Sequence, residues 1–104
     1  MFKERLLREI LDFVEKRRKV FFTKEEFFIH LWYKCNVTRD CGALRFETIA
    51  RQLRDLARQG FLARAERPIP EWGFCYYVVY YINKNRIRAY LQRMERGIGI
   101  LAYS

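Results

Sequence analysis

The chain has 104 residues, of which 51% are hydrophobic and 17% aromatic, so it can build one modest core and is not a disordered tail. Its 21 Lys and Arg residues against 12 Asp and Glu give a formal net charge of +9, which is more than solubility requires. Such an excess on a small protein favours a polyanionic partner, nucleic acid before a membrane surface. No apolar run has the length of a membrane span and the first residues lack a signal-peptide core, so we expect one cytoplasmic domain over residues 1–104.

Arginine dominates the basic residues, with 15 arginines and 6 lysines. The planar fork of the guanidinium suits phosphate and guanine, each of which can accept two hydrogen bonds from it. The bias therefore fits a nucleic-acid partner better than a general need for positive charge.

Residues 2–18 have the spacing of an amphipathic first helix, and residues 20–22 can form a very short strand. The helix directs one apolar stripe inward and a face of mixed acidic and basic residues outward. Its expected buried residues are Leu6, Leu7, Ile10, Phe13 and Val14.

A second helix is predicted over about residues 24–34, and its start is well marked. Thr23 and Glu26 match a capping box. In this motif the Thr23 side chain accepts from the Glu26 amide, and the Glu26 side chain accepts from the Thr23 amide. Phe22 and Phe27 occupy the positions of a hydrophobic staple. The residues expected to be buried here are Phe27, Phe28 and Leu31, with Trp32 at the margin of the set.

The stretch of residues 46–62 is the most informative part of the chain, because its apolar residues fall on one helical face and its arginines on another. A helix is predicted over about residues 44–59, and Gly60 sits where a left-handed C-cap ends it. The inward stripe is Ile49, Leu53, Leu56 and Ala57, with Phe46 extending it. The flank and far side carry Thr48, Arg51, Gln52, Asp55 and Arg58. This is the shape of a recognition helix, although an ordinary amphipathic helix with a solvated charged face has the same pattern.

After Gly60 the apolar period changes from that of a helix to that of a strand. Residues 61–67 and 74–82 are predicted strands, the second dense in β-branched and aromatic residues. The turn-rich segment 68–73 joins them into an antiparallel hairpin over residues 61–82.

Asn83 is expected to cap a last helix over about residues 84–96, which Gly97 ends before an apolar tail. We expect a homodimer through this helix and tail, because their apolar residues exceed what so small a core needs. Those residues are Ile87, Leu91, Met94 and 98–101. The alternative is that the helix packs on the first helix within one monomer.

The order of helix, short strand, capped helix, helix, hairpin and helix resembles the winged helix-turn-helix DNA-binding regulators of the MarR, ArsR and PadR type, over nearly the whole chain. The most specific part is TIARQLRDLARQGFL, residues 48–62, which looks like their reader helix, glycine turn and first wing strand. The resemblance implies an α+β winged helix-turn-helix fold with three helices, a β-hairpin wing and a C-terminal helix. Small members occur in archaea and archaeal viruses, and this compact, Arg-rich chain would fit such a source; a viral member would act in the host cytoplasm.

Carried over by position, the resemblance implies four DNA base readers, and the chemistry of their side chains suits the role. Arginine binds guanine O6 and N7 in a bidentate way, and glutamine does the same for adenine N6 and N7. We expect Asp55 to pair with Arg51 or Arg58 rather than accept from a cytosine amino group. The implied base readers are Arg45, Thr48, Arg51 and Gln52.

Eight further residues are candidates for contacts with the DNA backbone, some of them from the hairpin wing. About half of these cations are expected to be no more than a solvated face. Trp72, at the tip of the hairpin, has a structural role as an equal alternative. The candidates are Lys24, Lys34, Arg39, Arg54, Arg58, Arg64, Arg67 and Trp72.

The connection over residues 35–42 is longer than the usual tight turn between the two helices of a helix-turn-helix. Either the reader helix begins earlier, capped by Thr38 or Asp40, or a short extra loop projects here. The register of the face toward DNA depends on which of the two holds.

Cys35 and Cys41 bracket this connection, and Cys75 lies in the last strand. Reduced thiols are expected first, and a disulfide between Cys35 and Cys41 is a close second. A metal site is expected least, because only His30 could join the cysteines and no C-x₂-C pair occurs.

The sequence predicts a basic, sequence-specific double-stranded DNA-binding protein active in transcription regulation. His30 lies among apolar residues and has no catalytic partner pattern, so we expect neither an enzyme nor a cofactor, and no effector pocket is evident. The alternative is a protein-interaction or assembly module without sequence-specific DNA binding. It is motivated by a strand rich in tyrosine, which also suggests a third, weaker reading: single-stranded or RNA binding by stacking. The tyrosines are Tyr76, Tyr77, Tyr80 and Tyr81.

Overall fold

The computed structural model describes residues 2–38, 42, 44–73 and 75–103, with their side chains except at positions 2, 72 and 96–103. Within these ranges the chain has the α+β composition predicted from the sequence, with four α-helices and a three-stranded antiparallel sheet of order β1-β3-β2. The elements are α1 (Phe2–Arg17), β1 (Phe21–Phe22), α2 (Lys24–Thr38), α3 (Phe46–Arg58), β2 (Leu62–Pro68), a 3₁₀ turn (Pro70–Trp72), β3 (Tyr76–Ile82) and α4 (Lys84–Tyr103).

A core of buried side chains joins the helices to one face of the sheet. Completely buried residues come from every α-helix, among them Leu7, Phe27, Leu53 and Ile87. All five residues expected from the first helix are buried, so its predicted stripe is confirmed. The stripe of the third helix is confirmed at Ile49, Leu53 and Leu56, whereas Phe46, expected to extend it, is 37% exposed. Burying one such side chain contributes about 1.5–3 kcal/mol relative to leaving it exposed.

The start of α2 confirms the predicted cap and staple. The Glu26 amide donates to Thr23 Oγ1 over 3.1 Å, and the rings of Phe22 and Phe27 lie 5.5 Å apart. The reciprocal half of the capping box is absent among the described contacts, because the Glu26 carboxylate instead accepts from the Arg17 guanidinium over 2.7 Å.

Further along, α2 differs from the prediction in length and in exposure. It continues to Thr38, four residues beyond the predicted end, so Thr38 is not a cap for the next helix. Trp32, expected at the margin of the core, is 47% exposed. Apolar residues occur on both sides of α2, so sequence spacing alone did not show which of them face inward. Its exposed apolar residues are Ile29, Trp32, Tyr33 and Val37.

Gly60 ends α3 through the turn that the sequence predicted. Its φ of +86° lies in the left-handed region, the Gly60 amide donates to Ala57 O over 3.1 Å, and the Phe61 amide donates to Leu56 O over 3.0 Å. These two bonds form a Schellman motif and satisfy carbonyls that the helix end would leave unpaired. At its other end α3 begins at Phe46 after an extended Arg45, two residues later than predicted and without a side-chain cap.

The last helix is longer than predicted, because Gly97 does not end it and α4 continues to Tyr103. A glycine costs a helix only about 1 kcal/mol and ends it only where a left-handed turn follows. The Asn83 cap is confirmed, since the Arg86 amide donates to Asn83 Oδ1 over 3.2 Å. Although α4 has 20 residues, neither it nor another helix in the described ranges has the apolar length that a membrane span requires.

The first half of α4 packs within the monomer, which was the alternative to a role in dimer formation. Ile87 and Leu91 are buried in the core, so they are not available to a second copy. The Arg88 side chain pairs with Glu15 of α1 over 3.1 Å. Met94 stays exposed, and the side chains of residues 98–101 lie outside those described.

We expect Gly60→Ala to destabilise the protein by about 1–2 kcal/mol, the cost of a left-handed conformation for a residue with a side chain. The added Cβ would also lie 3.1 Å from Arg86 Nε. Urea unfolding followed by tryptophan fluorescence measures the change as a lower midpoint with an unchanged slope. Gly42→Ala is the control, because a Cβ there meets nothing within 4 Å; equal midpoints for the two variants would contradict the assigned role.

Candidate nucleic-acid interface

The outer face of α3 is set by what the helix buries. Ile49, Leu53 and Leu56 lie in the core, so the residues on the opposite side must face solvent. Arg51, Arg54 and Arg58 are exposed there, while the flanking residues Thr48 and Gln52 are half-buried. We define the outer face of α3 as Glu47, Thr48, Arg51, Gln52, Arg54, Asp55 and Arg58.

Two of the arginines on this face have no partner in the described part of the chain. Among the described residues, Arg51 and Arg54 make no hydrogen bond or ion pair, so their guanidinium groups are available to a ligand. Asp55 pairs with Arg58, one of the two partners expected from the sequence, with an N–O distance of 3.4 Å. Such an exposed pair is weak, and Arg58 remains 79% exposed. The face therefore presents a row of three accessible arginines.

The start of α2 lies beside the start of α3. The rings of Phe28 and Phe46 meet edge to face with centroids 5.3 Å apart, and the Lys24 ammonium lies 5.9 Å from the Phe46 ring centroid. Arg45 is exposed immediately before α3. The geometry thus brings Lys24 and Arg45, both expected to contact DNA, to the same end of the α3 helix.

The two hairpin arginines point to different sides of the sheet, because residues separated by three positions on a strand face opposite ways. Arg64 lies 3.8 Å from the Glu66 carboxylate. Arg67 donates to the Tyr81 hydroxyl and lies over the Tyr81 ring. Arg39 and the side chain of Trp72, two other expected contacts, lie outside the described part of the chain.

Lys34 has a different environment from the other expected backbone contacts. Its ammonium donates to Glu9 over 2.8 Å and to Asp12 over 3.0 Å, which joins α2 to α1. The hydrogen bond from Lys34 is the main cause of a lowered pKa at Asp12, and the bond to Glu9 is the main cause of a raised pKa at Lys34. Because the two carboxylates neutralise its charge, Lys34 is not among the cations available to bind a phosphate.

His30 packs beside the same cluster, as expected of a histidine among apolar residues. Its side chain is 16% exposed, and its ring lies 4.8 Å from the Phe13 ring. Burial is the main cause of its lowered pKa, which favours the neutral imidazole at pH 7. Ligand atoms of Glu9, Asp12 and His30 lie within 4.8 Å of one another, but Lys34 already supplies the positive charge that both carboxylates need.

The cysteines differ from the expectation of reduced thiols at one position. Cys35 is disulfide-bonded, whereas Cys75 is an exposed free thiol. Cys41, the expected partner in the alternative prediction, lies outside the described residues. The end of α2, where Cys35 lies, is therefore covalently tied to another part of the protein.

The structure also contains a cavity that sequence reasoning missed. It has a volume of about 730 Å³, within the range of small-molecule sites, and opens between α1, α2 and the start of α3. Its lining joins residues far apart in the sequence, so no local pattern reveals it. Among the lining residues are Arg5, Glu9, His30, Lys34, Leu44 and Ile49.

Comparisons of the chain with protein-family models, with curated proteins and with solved structures found no match. The case for an interface therefore depends on the geometry and charge of this chain alone. That geometry places Arg45, Thr48, Arg51 and Gln52 on or beside one exposed helix, and brings Lys24 near them.

Removal of the Lys34 charge should destabilise the protein in a way that depends on pH. We expect Lys34→Met to lower the free energy of unfolding at pH 7 by about 1 kcal/mol, as for a well-formed surface pair. Because the folded state lowers the pKa of Asp12, the stabilisation is present above the usual pKa of an aspartate and is lost as pH falls through the lowered value.

Urea unfolding at a series of pH values measures this effect. The difference between wild type and Lys34→Met should shrink in acid, as Asp12 becomes protonated. Lys16→Met is the control, because Lys16 is more exposed than Lys34 and pairs with one carboxylate, that of Asp12, at 3.2 Å. A deficit in Lys34→Met that is the same at every pH would show that lost packing, and not the ion cluster, is responsible.

Proposed function

We propose that the protein is a winged-helix regulator that binds double-stranded DNA in a sequence-specific way with the outer face of α3. The observation that carries the proposal is the row of three accessible arginines, Arg51, Arg54 and Arg58, on a helix whose opposite side is buried. A helix with one side buried in the core and basic residues on the opposite side fits the major groove, which is wide enough to admit it.

The order of elements supports the winged-helix part of the proposal. The pair α2 and α3 is followed by the β2–β3 hairpin, and β1 joins the sheet beside β3. In a winged helix the second helix of such a pair reads the groove and the hairpin lies against the backbone. Here the Gly60 turn leads from the end of α3 directly into β2, so the two parts have a fixed relation.

The side chains on and beside α3 divide into two roles. Arg51 can bind guanine and Gln52 adenine through paired hydrogen bonds, with Thr48 and Arg45 as further base contacts. Arg54, Arg58 and Lys24 would bind phosphates, which positions the protein without selecting a sequence. The net charge of +9 would speed the encounter with DNA and make affinity fall with salt.

The direct test is the binding of a duplex, selected from a random pool, at several salt concentrations. We expect Arg51→Ala to weaken binding to the selected site roughly 5- to 150-fold, equivalent to about 1–3 kcal/mol, with a smaller effect on other sequences. Arg54→Ala should weaken all sequences alike and reduce the salt slope by about one.

Arg93→Ala is the matched control, because it removes the same charge from an exposed position on α4. Fluorescence anisotropy with labelled duplexes gives the dissociation constants. Equal losses for Arg51→Ala and Arg93→Ala, or a pool from which no sequence is enriched, would contradict sequence-specific reading by α3.

We further propose a homodimer, since paired copies would read two half-sites. Its contact would use Met94 and the remainder of α4, because Ile87 and Leu91 are buried within one monomer. Sedimentation at micromolar protein should give the mass of a dimer, and Met94→Glu should shift it toward monomer. Gln92→Glu adds the same charge to another side of α4 and should leave the dimer intact; a wild-type monomer would exclude the model.

A second candidate function is a protein-interaction module without sequence-specific DNA binding. The exposed apolar side of α2 favours it, because Ile29, Trp32, Tyr33 and Val37 form an apolar strip on one helix. Under this alternative, DNA binding would be weak and insensitive to sequence.

A further inference from the structure

The three-stranded sheet has an aromatic side that faces away from the core. Partners in the antiparallel ladder point the same way, and Phe22 and Tyr80 point inward, where both are buried. The neighbouring positions therefore point outward. We define the outer sheet face as Phe21, Ala63, Ala65, Arg67, Tyr77, Val79 and Tyr81.

Three aromatic rings lie on this face with part of their surface open to solvent. Phe21 is 40% and Tyr77 is 44% exposed, and Tyr81 is half-buried. The rings of Phe21 and Tyr81 lie 5.6 Å apart across two strands. Tyr77 stands four residues from Tyr81, which is about 13 Å along the strand.

Small residues leave room beside these rings. Ala63 is the ladder partner of Tyr81, and Ala65 is the partner of Val79. Val79, at the centre of this face, is buried although it does not belong to the core cluster. The face thus combines partly exposed aromatic rings on β1 and β3 with small residues on β2.

The charge on this face is positive. Arg67 donates to the Tyr81 hydroxyl with its guanidinium 5.6 Å from the ring centroid, and the Lys19 ammonium lies 5.9 Å from the centroid of Phe21. No carboxylate occurs at the outward positions. Glu66 stands on the other side of β2, where it is near Arg64.

We propose that the outer sheet face binds single-stranded nucleic acid, by stacking unpaired bases on Phe21, Tyr77 and Tyr81 while Lys19 and Arg67 bind phosphates. Aromatic rings interleaved with cations are the combination that single strands recognise, because each base offers a flat π-face and each linkage a negative charge. A duplex offers no such face along its length. The presence of Lys19 beside the rings favours a nucleic acid over a protein partner, because lysine is depleted in protein interfaces.

This proposal is independent of duplex binding by α3. Leu62 and Tyr80, on the inner side of the sheet, share the core with Leu53 of α3. The outer face of α3 and the outer sheet face are therefore separate surfaces with that core between them. A single strand and a duplex would not compete for the same side chains.

The test is fluorescence anisotropy of the full chain with labelled oligodeoxythymidine of about 12 nucleotides, within the site sizes of single-strand-binding folds, and with the matching oligouridine. We expect both to bind, and Tyr77→Ala to weaken binding roughly 5- to 150-fold, the effect of one lost base stack. Phe21→Ala should act in the same direction and provides a second variant if Tyr77→Ala does not fold.

Two controls separate stacking from a general loss of surface. Tyr77→Phe keeps the ring and should bind within about twofold of wild type. Tyr76→Ala removes the neighbouring tyrosine, which is exposed but points to the other side of β3, and should also change little. Equal losses for Tyr76→Ala and Tyr77→Ala would overturn the proposal.

Arg51→Ala distinguishes this proposal from duplex binding, because it should weaken duplex binding and leave oligothymidine binding nearly unchanged. If excess unlabelled duplex displaces the oligothymidine, or if Arg51→Ala weakens both ligands alike, the single strand uses α3 and the outer sheet face has no such role. A wild-type chain that binds oligothymidine but no duplex would overturn the α3 proposal and leave this one standing.

Discussion

The burial of one side of α3 is the interaction on which the rest of the structure depends. Ile49, Leu53 and Leu56 are withdrawn from water, and each contributes about 1.5–3 kcal/mol relative to an exposed position. Because each residue turns the helix by about 100°, this burial fixes the rotation of α3 and directs its arginines to solvent. The Gly60 turn then leads the chain into β2 at once, and Phe61 is buried there, so the same packing positions the hairpin.

Many of the acidic residues form ion pairs that involve α1, so fewer carboxylates offset the arginines on the other elements. Every ion pair between two described elements joins α1 to α2 or to α4. The outer face of α3 contains one weak pair, between Asp55 and Arg58, and the carboxylate of Glu47, which is unpaired within the described ranges. Exposed pairs contribute little to stability, so their main effect is on where positive potential remains. Among the described residues, positive charge without an ion pair remains on the outer face of α3, on the outer sheet face and on α4, for example at Arg93. The carboxylates that join α1 to the other two helices are Glu9, Asp12, Glu15, Glu26 and Glu95.

Local signals made the ends of several elements predictable from the sequence. The Thr23 cap, the Gly60 turn and the Asn83 cap each depend on a few neighbouring residues, and all three form the expected bonds. The prediction that Gly97 ends α4 was wrong, because a glycine ends a helix only where a left-handed turn follows, and one residue does not specify that turn. The outer face of α3 was predictable, since arginines opposite a buried stripe must face outward. The ion cluster at Lys34 and the cavity were not, because they depend on which helices meet, and local spacing does not contain that information.

Strand β1 has only two residues, yet it determines which aromatic side chains reach the outer sheet face. Phe22 pairs with Tyr80 and faces the core, while Phe21 pairs with Tyr81 and faces outward. Because side chains alternate along a strand, a slip of one residue would exchange the buried and the exposed rings. Such a slip would separate Phe22 from Phe27, whose ring lies 5.5 Å away at the start of α2. The aromatic and basic outer sheet face is therefore a consequence of inner packing, and the core that orients the α3 arginines also determines which rings face outward.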